Sequence, residues 1–162
     1  MRSRYLLLWA TLALILITVN GLILREELLR RTGERVLLEL APRDPRSLIQ
    51  GDYMVLNYAI ARPLQSNYGL TSGRIVLALD DRAVGSVVRF YENGDTLAPN
   101  EVTLRYRRTN DGISFGVEEF FFQEGDAERY ARAAYAELRV DPRGRASLIG
   151  LMDANLQPIN PP

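Results

Sequence analysis

The sequence predicts an α+β protein in which a single N-terminal transmembrane helix precedes a mainly antiparallel β domain, sandwich- or barrel-like, with one short helix. One observation behind this is a run of 20 uncharged residues, residues 5–24, near the N-terminus. A second is a series of short apolar segments, separated by glycine, proline and asparagine turns, that begins at residue 34. The third is length, because 162 residues suffice for one domain and an anchor.

The uncharged run fits a membrane span. At a helical rise of about 1.5 Å per residue it reaches about 30 Å, the thickness of the hydrocarbon core. Tyr5 and Trp9 lie near its start, where aromatic side chains favour the interface, and Leu24 ends it. A cleaved signal peptide is the alternative, but its apolar core is typically about 7–15 residues long, and residues 19–21 make a poor cleavage site. We therefore expect an uncleaved anchor.

The helix is expected to continue past the membrane as a short juxtamembrane segment. Glu27 and Arg31 form a favourable i,i+4 pair, and Thr32-Gly33 is a plausible stop, since glycine suits the position after a helix end. Arginines flank the run on both sides, so the charges alone leave its direction open. We assign residues 1–33 to the anchor and juxtamembrane helix.

The chain after residue 33 is expected to be β-rich. The predicted strands span residues 35–40, 53–61, 74–79, 87–91, 101–107, 113–117 with a possible extension to 122, 138–140 and 146–152. Asn110-Asp111-Gly112 indicates a hairpin, and Asp141-Pro142-Arg143-Gly144 indicates another between the last two strands. In the strand over 101–107, Thr103 is expected to face outward, opposite an inward face of Val102, Leu104 and Tyr106.

One helix is predicted among the strands, over residues 126–136. Asp126 suits an N-cap, and the residues that follow carry an apolar stripe at helical spacing. The C-terminal segment 156–162 carries three prolines and is expected to be a flexible tail, which leaves residues 34–155 as one exported domain.

Composition excludes most familiar enzyme chemistry. The basic residues are all arginine, and histidine, lysine and cysteine are absent. The chain therefore lacks a Ser-His-Asp or Cys-His system, a Ser-Lys dyad, a P-loop and an ordinary zinc or haem site. A hydrolase would have to use carboxylates or a carboxylate-bound metal. We expect no catalytic residues, no metal and no cofactor, although the composition does not exclude an enzyme.

The net charge of zero also indicates no nucleic-acid partner. The absence of cysteine is compatible with an oxidising compartment.

The octapeptide over residues 51–58 is the most informative stretch. Gly51 and Asp52 are expected to form a turn, in which the aspartate accepts backbone N–H bonds. Tyr53 then opens the strand over 53–61, one face of which carries Met54, Leu56, Tyr58 and Ile60. Leu56 and Tyr58 are therefore predicted to be structural core residues.

The pattern Gly-Asp-Tyr-x-x-Leu-x-Tyr of this octapeptide resembles the signature of the GDYXXLXY family of bacterial membrane-anchored proteins. Three further segments are similar to the family in the same order: residues 44–48, 120–125 and 140–146. The resemblance implies a single span in the inner (cytoplasmic) membrane, with the N-terminus inside and the C-terminal domain periplasmic. It also implies a polytopic membrane protein as partner, besides the lipid bilayer, and it supplies no catalytic residue.

A small polar surface is the candidate binding site. If the turn at Asp44-Pro45 folds back, Arg46 could meet Asp52 in a charge-assisted pair beside the Tyr53 ring, and Glu124 could join them. Such a surface would suit a ligand or a partner. We therefore expect a noncatalytic accessory or regulatory domain for a polytopic membrane protein. The alternative is an envelope module that binds, or hydrolyses with carboxylates, a glycan or a peptide.

Overall fold

The computed structural model describes residues 2–41, 53–65, 71–123 and 125–159. These residues form one long helix followed by a β domain with two short helices. In chain order the elements are α1 (Arg2–Thr32), β1 (Glu34–Glu39), β2 (Tyr53–Val55), α2 (Ala61–Gln65), β3 (Ser72–Leu79), β4 (Gly85–Phe90), β5 (Glu101–Thr109), β6 (Gly112–Ser114), β7 (Glu119–Phe121), α3 (Ala127–Tyr130), β8 (Tyr135–Val140) and β9 (Ala146–Met152).

Helix α1 is long and apolar enough to cross a membrane over Tyr5–Thr32, with a mean hydropathy of 2.3 in its most apolar window. Its side chains from residue 5 to residue 25 are all exposed, so the β domain does not cover them. Thr18 and Asn20 donate hydrogen bonds back to the carbonyls of the preceding turn at 2.8 Å. These two polar groups are therefore satisfied within the helix, as a lipid environment requires. The helix is compatible with a single-pass anchor.

A single residue, Gly33, joins α1 to β1. The predicted helix stop at Thr32-Gly33 is confirmed, and the Gly33 amide donates to the Leu29 carbonyl at 2.9 Å. Gly33 does not adopt a positive φ, however. A Cβ there would lie 2.6 Å from the Leu29 carbonyl oxygen and 3.0 Å from Arg139 Cβ. Glycine is needed here because helix and strand approach closely, rather than for left-handed backbone.

The strands form antiparallel sheets in the orders β1-β8-β9, β4-β3-β5-β6 and β2-β7. A parallel bridge between Leu37 and Val84 connects the first sheet to the second, and together the sheets make a half-barrel. The mainly antiparallel α+β architecture expected from the sequence is confirmed. Both predicted hairpins are also present, with Gly112 at φ 132° and Gly144 at φ 80° in their turns.

One apolar core fills the half-barrel. Val36, Leu38, Leu77, Leu104 and Leu138 have no exposed surface and belong to a single cluster. Strands β1 and β3 each bury three consecutive residues, which shows that both of their faces are covered there. This core lies behind the two-stranded sheet β2-β7, which carries part of the octapeptide over residues 51–58.

Two predicted segments differ from the structure. The strand over 53–61 is regular only at β2, after which Leu40 and Tyr58 form an isolated bridge and the chain enters α2. The helix over 126–136 is reduced to α3, and the Asp126 side chain makes no capping hydrogen bond. Residues 131–134 lie between α3 and β8, and the last two residues assigned to the helix, Tyr135 and Ala136, belong instead to β8, which pairs with both β1 and β9. Pairing on two sides outweighs the helical preference of an alanine-rich stretch.

The outward assignment of Thr103 was wrong. Its side chain is 3% exposed, because the turn between β8 and β9 packs across this part of β5. The Arg105 amide donates to the Gly144 carbonyl at 2.7 Å, and a Cβ at Gly144 would approach the Thr103 carbonyl to 3.2 Å. The turn therefore buries Thr103, although strand alternation alone would place this side chain on the outer face.

Part of the expected flexible tail packs on the β domain. The Ile159 amide donates to the Leu151 carbonyl at 2.9 Å, and the Ile159 side chain is buried. Pro158 forms a bridge with Met152. The domain therefore extends past residue 155, up to Ile159.

Candidate functional site

The octapeptide enters the described structure at Tyr53, the first residue of β2. This short strand pairs with β7 in a separate two-stranded ribbon, with Tyr53 opposite Phe121 and Met54 opposite Phe120. Side chains alternate across such a ribbon, so one face packs on the core and the other is free to meet solvent or a partner.

The inner face is a structural support. Leu56 and Tyr58 are 2% and 3% exposed. The Tyr58 hydroxyl donates to the Val117 carbonyl at 2.5 Å, and its ring meets Phe115 edge-on at 5.6 Å between centroids. Burial raises the pKa of the Tyr58 hydroxyl, and the charge of Glu118 raises it further. Tyr58 is therefore a neutral, buried hydrogen-bond donor and is unsuited to act as a base.

Glu118 fixes the chain just before β7. Its carboxylate accepts hydrogen bonds from the Ser114 hydroxyl at 3.0 Å, from the Gly116 amide at 3.1 Å and from the Phe115 amide. Its backbone carbonyl accepts from the Leu56 amide at 2.6 Å. The carboxylate is thus occupied by the turn that precedes the ribbon, and its role is to hold that turn.

The outer face of the ribbon, which we call the motif face, consists of Tyr53, Val55, Glu119 and Phe121. Phe121 is 69% exposed and Val55 is 37% exposed. The Tyr53 and Phe121 rings contact each other with centroids 5.8 Å apart. An exposed phenylalanine on a strand that is held from behind by the core makes a preorganised apolar surface.

An aromatic cleft of about 520 Å³ opens beside the ribbon. Tyr130 of α3 packs against Phe120 and Phe122, with ring centroids 4.8 Å and 5.5 Å away. The cleft is lined by Phe120, Phe121, Phe122, Gln123, Asp126, Tyr130, Glu137, Ile149, Gly150, Leu151, Pro158 and Ile159. Phe121 belongs to both surfaces, so the cleft and the motif face are continuous.

The two described carboxylates in the cleft are engaged by arginines. Arg35 Nε donates to Glu137 Oε1 at 2.7 Å, and Arg129 lies 3.6 Å from Asp126. Among the described residues, no three acids lie close enough together to hold a metal ion. Both described acids of the cleft are therefore already held by arginines of the same domain.

Carboxyl groups with shifted pKa values lie elsewhere in the domain. A hydrogen bond from the Val84 amide lowers the pKa of Asp80, and a hydrogen bond from the Arg89 side chain lowers the pKa of Glu101. Neither residue lines the aromatic cleft. A general acid needs a raised carboxyl pKa, and these two shifts have the opposite direction.

The residues proposed from the sequence are only partly within the described chain. Arg46, Gly51, Asp52 and Glu124 lie outside the described residues, so the polar surface that they were expected to form with Tyr53 stays a prediction. In the anchor, the Tyr5, Trp9 and Leu24 side chains are 62%, 69% and 60% exposed.

Sequence reasoning missed Phe121 and Tyr130. The aromatic run over residues 120–122 was the available signal, because alternation in a strand would place its central residue opposite the other two. No feature of the sequence near residues 120–122 indicates that this run pairs with the octapeptide.

No curated protein and no solved structure matches this chain. A family model, described as GDYXXLXY protein, matches residues 15–151, from within α1 to the last strand. The match covers the octapeptide, its β7 partner and the hairpin that follows, and the chain therefore belongs to the GDYXXLXY family.

Proposed function

We propose that this protein is a single-pass protein of the bacterial inner membrane with its N-terminus in the cytoplasm and its β domain in the periplasm. There the domain acts as a noncatalytic accessory or regulatory partner of a polytopic membrane protein. The observation that carries this proposal is the motif face, where Phe121 is 69% exposed on a ribbon fixed to a domain that directly follows α1.

The junction between α1 and the domain supports a fixed position at the membrane. Only Gly33 separates helix from strand, and Arg139 Nη1 donates to the Gly33 carbonyl at 3.2 Å. Leu29 of the helix is buried against the domain, and Arg145 lies 3.5 Å from Glu26. A domain held in this way stays within reach of the extracytoplasmic loops of a neighbouring membrane protein.

The chemistry of the motif face fits a protein partner. Aromatic residues dominate the binding energy of protein interfaces, especially when they are central and rigidly held. Phe121 and Tyr53 form such a pair, and exposed Glu119 provides a polar rim. The absence of histidine, lysine and cysteine supports an accessory role rather than a catalytic one.

Site-specific photocrosslinking tests the proposed docking. A photoreactive phenylalanine analogue at Phe121 in the full-length, membrane-inserted chain is expected to form an adduct with a polytopic membrane protein, identified by mass spectrometry. The same analogue at Val88 is the matched control, since this strand residue is also exposed, at 52%, but lies on β4 away from the motif face.

Adducts of the same polytopic protein from Phe121 and its absence from Val88 support the proposal. Equal adducts from both positions, or none from Phe121 in cells that retain the protein, contradict it.

The aromatic cleft favours a second candidate, an envelope module that binds a glycan or a peptide. Its volume of about 520 Å³ falls within the range of small-ligand pockets, and stacked aromatic rings suit sugar faces and apolar peptide side chains. Thermal-shift titration of the detergent-solubilised chain with peptidoglycan fragments distinguishes the two. A saturable rise in melting temperature favours this candidate, and no rise at millimolar fragment counts against it.

A further inference from the structure

We propose that the groove between α1 and the β8–β9 turn binds a membrane phospholipid, with its phosphate at Arg25 and Arg145 and an acyl chain along Gly21 and Leu24. The groove has a volume of about 310 Å³. It is lined by Gly21, Leu24, Arg25, Leu28, Leu29, Thr32, Asp141 and Arg145. This inference rests on the proposed insertion of α1 in the membrane.

The β8–β9 turn lies at the level of the membrane interface. Arg145 Nη2 is 3.5 Å from Glu26 Oε2, and Glu26 is the second residue after the uncharged run. If residues 5–24 span the hydrocarbon, Glu26 and Arg145 lie at the depth of the phospholipid headgroups. The groove therefore opens where phosphates are concentrated.

The part of the groove nearest the membrane is apolar and has space for a chain. Leu24, the last residue of the uncharged run, is 60% exposed. A Cβ at Gly21 would meet nothing within 4 Å, so the missing side chain leaves an open notch on this face of the helix. At this depth the helix is surrounded by lipid acyl chains, which are as apolar as the leucine side chain, so an acyl chain can pack against Leu24 without an unfavourable polar contact.

The upper part of the groove presents guanidinium groups. Arg25 is exposed, and Arg145 is half-buried beside it. The ion pairs of Arg145 with Glu26 and Asp141 measure 3.5 Å and 3.8 Å, longer than a hydrogen bond. Guanidinium binds phosphate oxygens with bidentate geometry.

Asp141 does not compete strongly with a phosphate for these arginines. Its Oδ1 accepts hydrogen bonds from the backbone amides of Arg143 and Arg145, each at 2.9 Å. An apolar partner helix in the groove would cover Arg25 without supplying a counter-ion, which is costly. A phospholipid supplies the anion and the apolar chain together, so it is the occupant that the groove fits.

Native mass spectrometry of the full-length protein in detergent tests the site. Phosphatidylglycerol is expected to be retained, whereas diacylglycerol with the same acyl chains, which lacks only the phosphate headgroup, is not. Arg145→Gln is expected to weaken retention by about fivefold, the effect of one arginine near a charged headgroup. Gly21→Leu, which fills the notch, is expected to weaken it to a similar extent.

Ala10→Leu is the matched control for Gly21→Leu. It makes a similar small-to-leucine change on nearly the same helix face, about three turns away from the groove. We expect it to retain phosphatidylglycerol as the parent chain does.

Equal retention of diacylglycerol, displacement of the lipid by glycerol 3-phosphate, or unchanged retention in Gly21→Leu would overturn the lipid site. The last result would leave the groove to a partner helix, and displacement by glycerol 3-phosphate would make it a simple anion site. Carbonate extraction of the same variants separates this inference from the proposed function. A chain that stays in the membrane without these differences overturns the lipid site alone, and a chain that is extracted overturns the anchor as well.

Discussion

Replacing Leu56 with alanine is expected to lower the free energy of unfolding by about 2–5 kcal/mol, the usual cost of removing a buried leucine side chain. Leu56 is 2% exposed and belongs to the main core cluster. Tyr58→Phe is expected to cost about 1–3 kcal/mol, because it leaves the buried Val117 carbonyl without the hydroxyl that donates to it at 2.5 Å. Urea unfolding of the full-length chain in detergent, followed by circular dichroism, measures both.

Val55→Ala is the matched control for this pair. Val55 directly precedes Leu56 but its side chain lies on the outer face, at 37% exposure, so we expect a change below about 1 kcal/mol. A loss at Val55 equal to that at Leu56 would contradict the division of the octapeptide into a buried inner face and an available outer face.

Gly33→Val is expected to destabilise the junction between α1 and the β domain. The new Cβ would lie 2.6 Å from a backbone carbonyl oxygen, that of Leu29, which cannot move aside without distorting the helix end. Overpacking of this kind typically costs about 1–3 kcal/mol and here also loosens the packing around buried Leu29. Hydrogen exchange is expected to increase in the last turn of α1 and at the start of β1.

Gly150→Val provides the comparison for this junction. A Cβ at Gly150 meets nothing within 4 Å, and a β-branched residue suits a strand. We expect little change in exchange at the junction. If Gly33→Val left both exchange and stability unchanged, the close contact between helix and domain would not hold in the membrane, and the fixed placement of the domain would fail.

The burial of the octapeptide could be predicted because it depends on a local pattern. Met54, Leu56, Tyr58 and Ile60 occupy alternate positions of the predicted strand, and all four are buried. The same pattern could not show where the strand ends. The chain leaves the regular strand after Val55 and turns into α2 a few residues later.

The motif face could not be predicted, because it depends on pairing between distant segments. Tyr53 was identified from the octapeptide, but its neighbour Phe121 comes from a strand far along the chain. The dependence on pairing between distant segments also explains why the helix predicted over residues 126–136 is longer than the observed α3. Its sequence favours a helix locally as far as residue 136, and only the pairing of β8 with β1 and β9 makes the extended form of Tyr135 and Ala136 more stable.

The most direct test of the central claim is the side of the membrane on which the β domain lies. The chain has no cysteine, so single cysteines can be introduced without removing native ones. A cysteine at Asp111, in the exposed β5–β6 turn, is expected to react with a membrane-impermeant maleimide in intact spheroplasts. A cysteine at Ser3 is expected to react only after the membrane is permeabilised. Labelling of Ser3 but not of Asp111 in intact spheroplasts would contradict a periplasmic accessory domain.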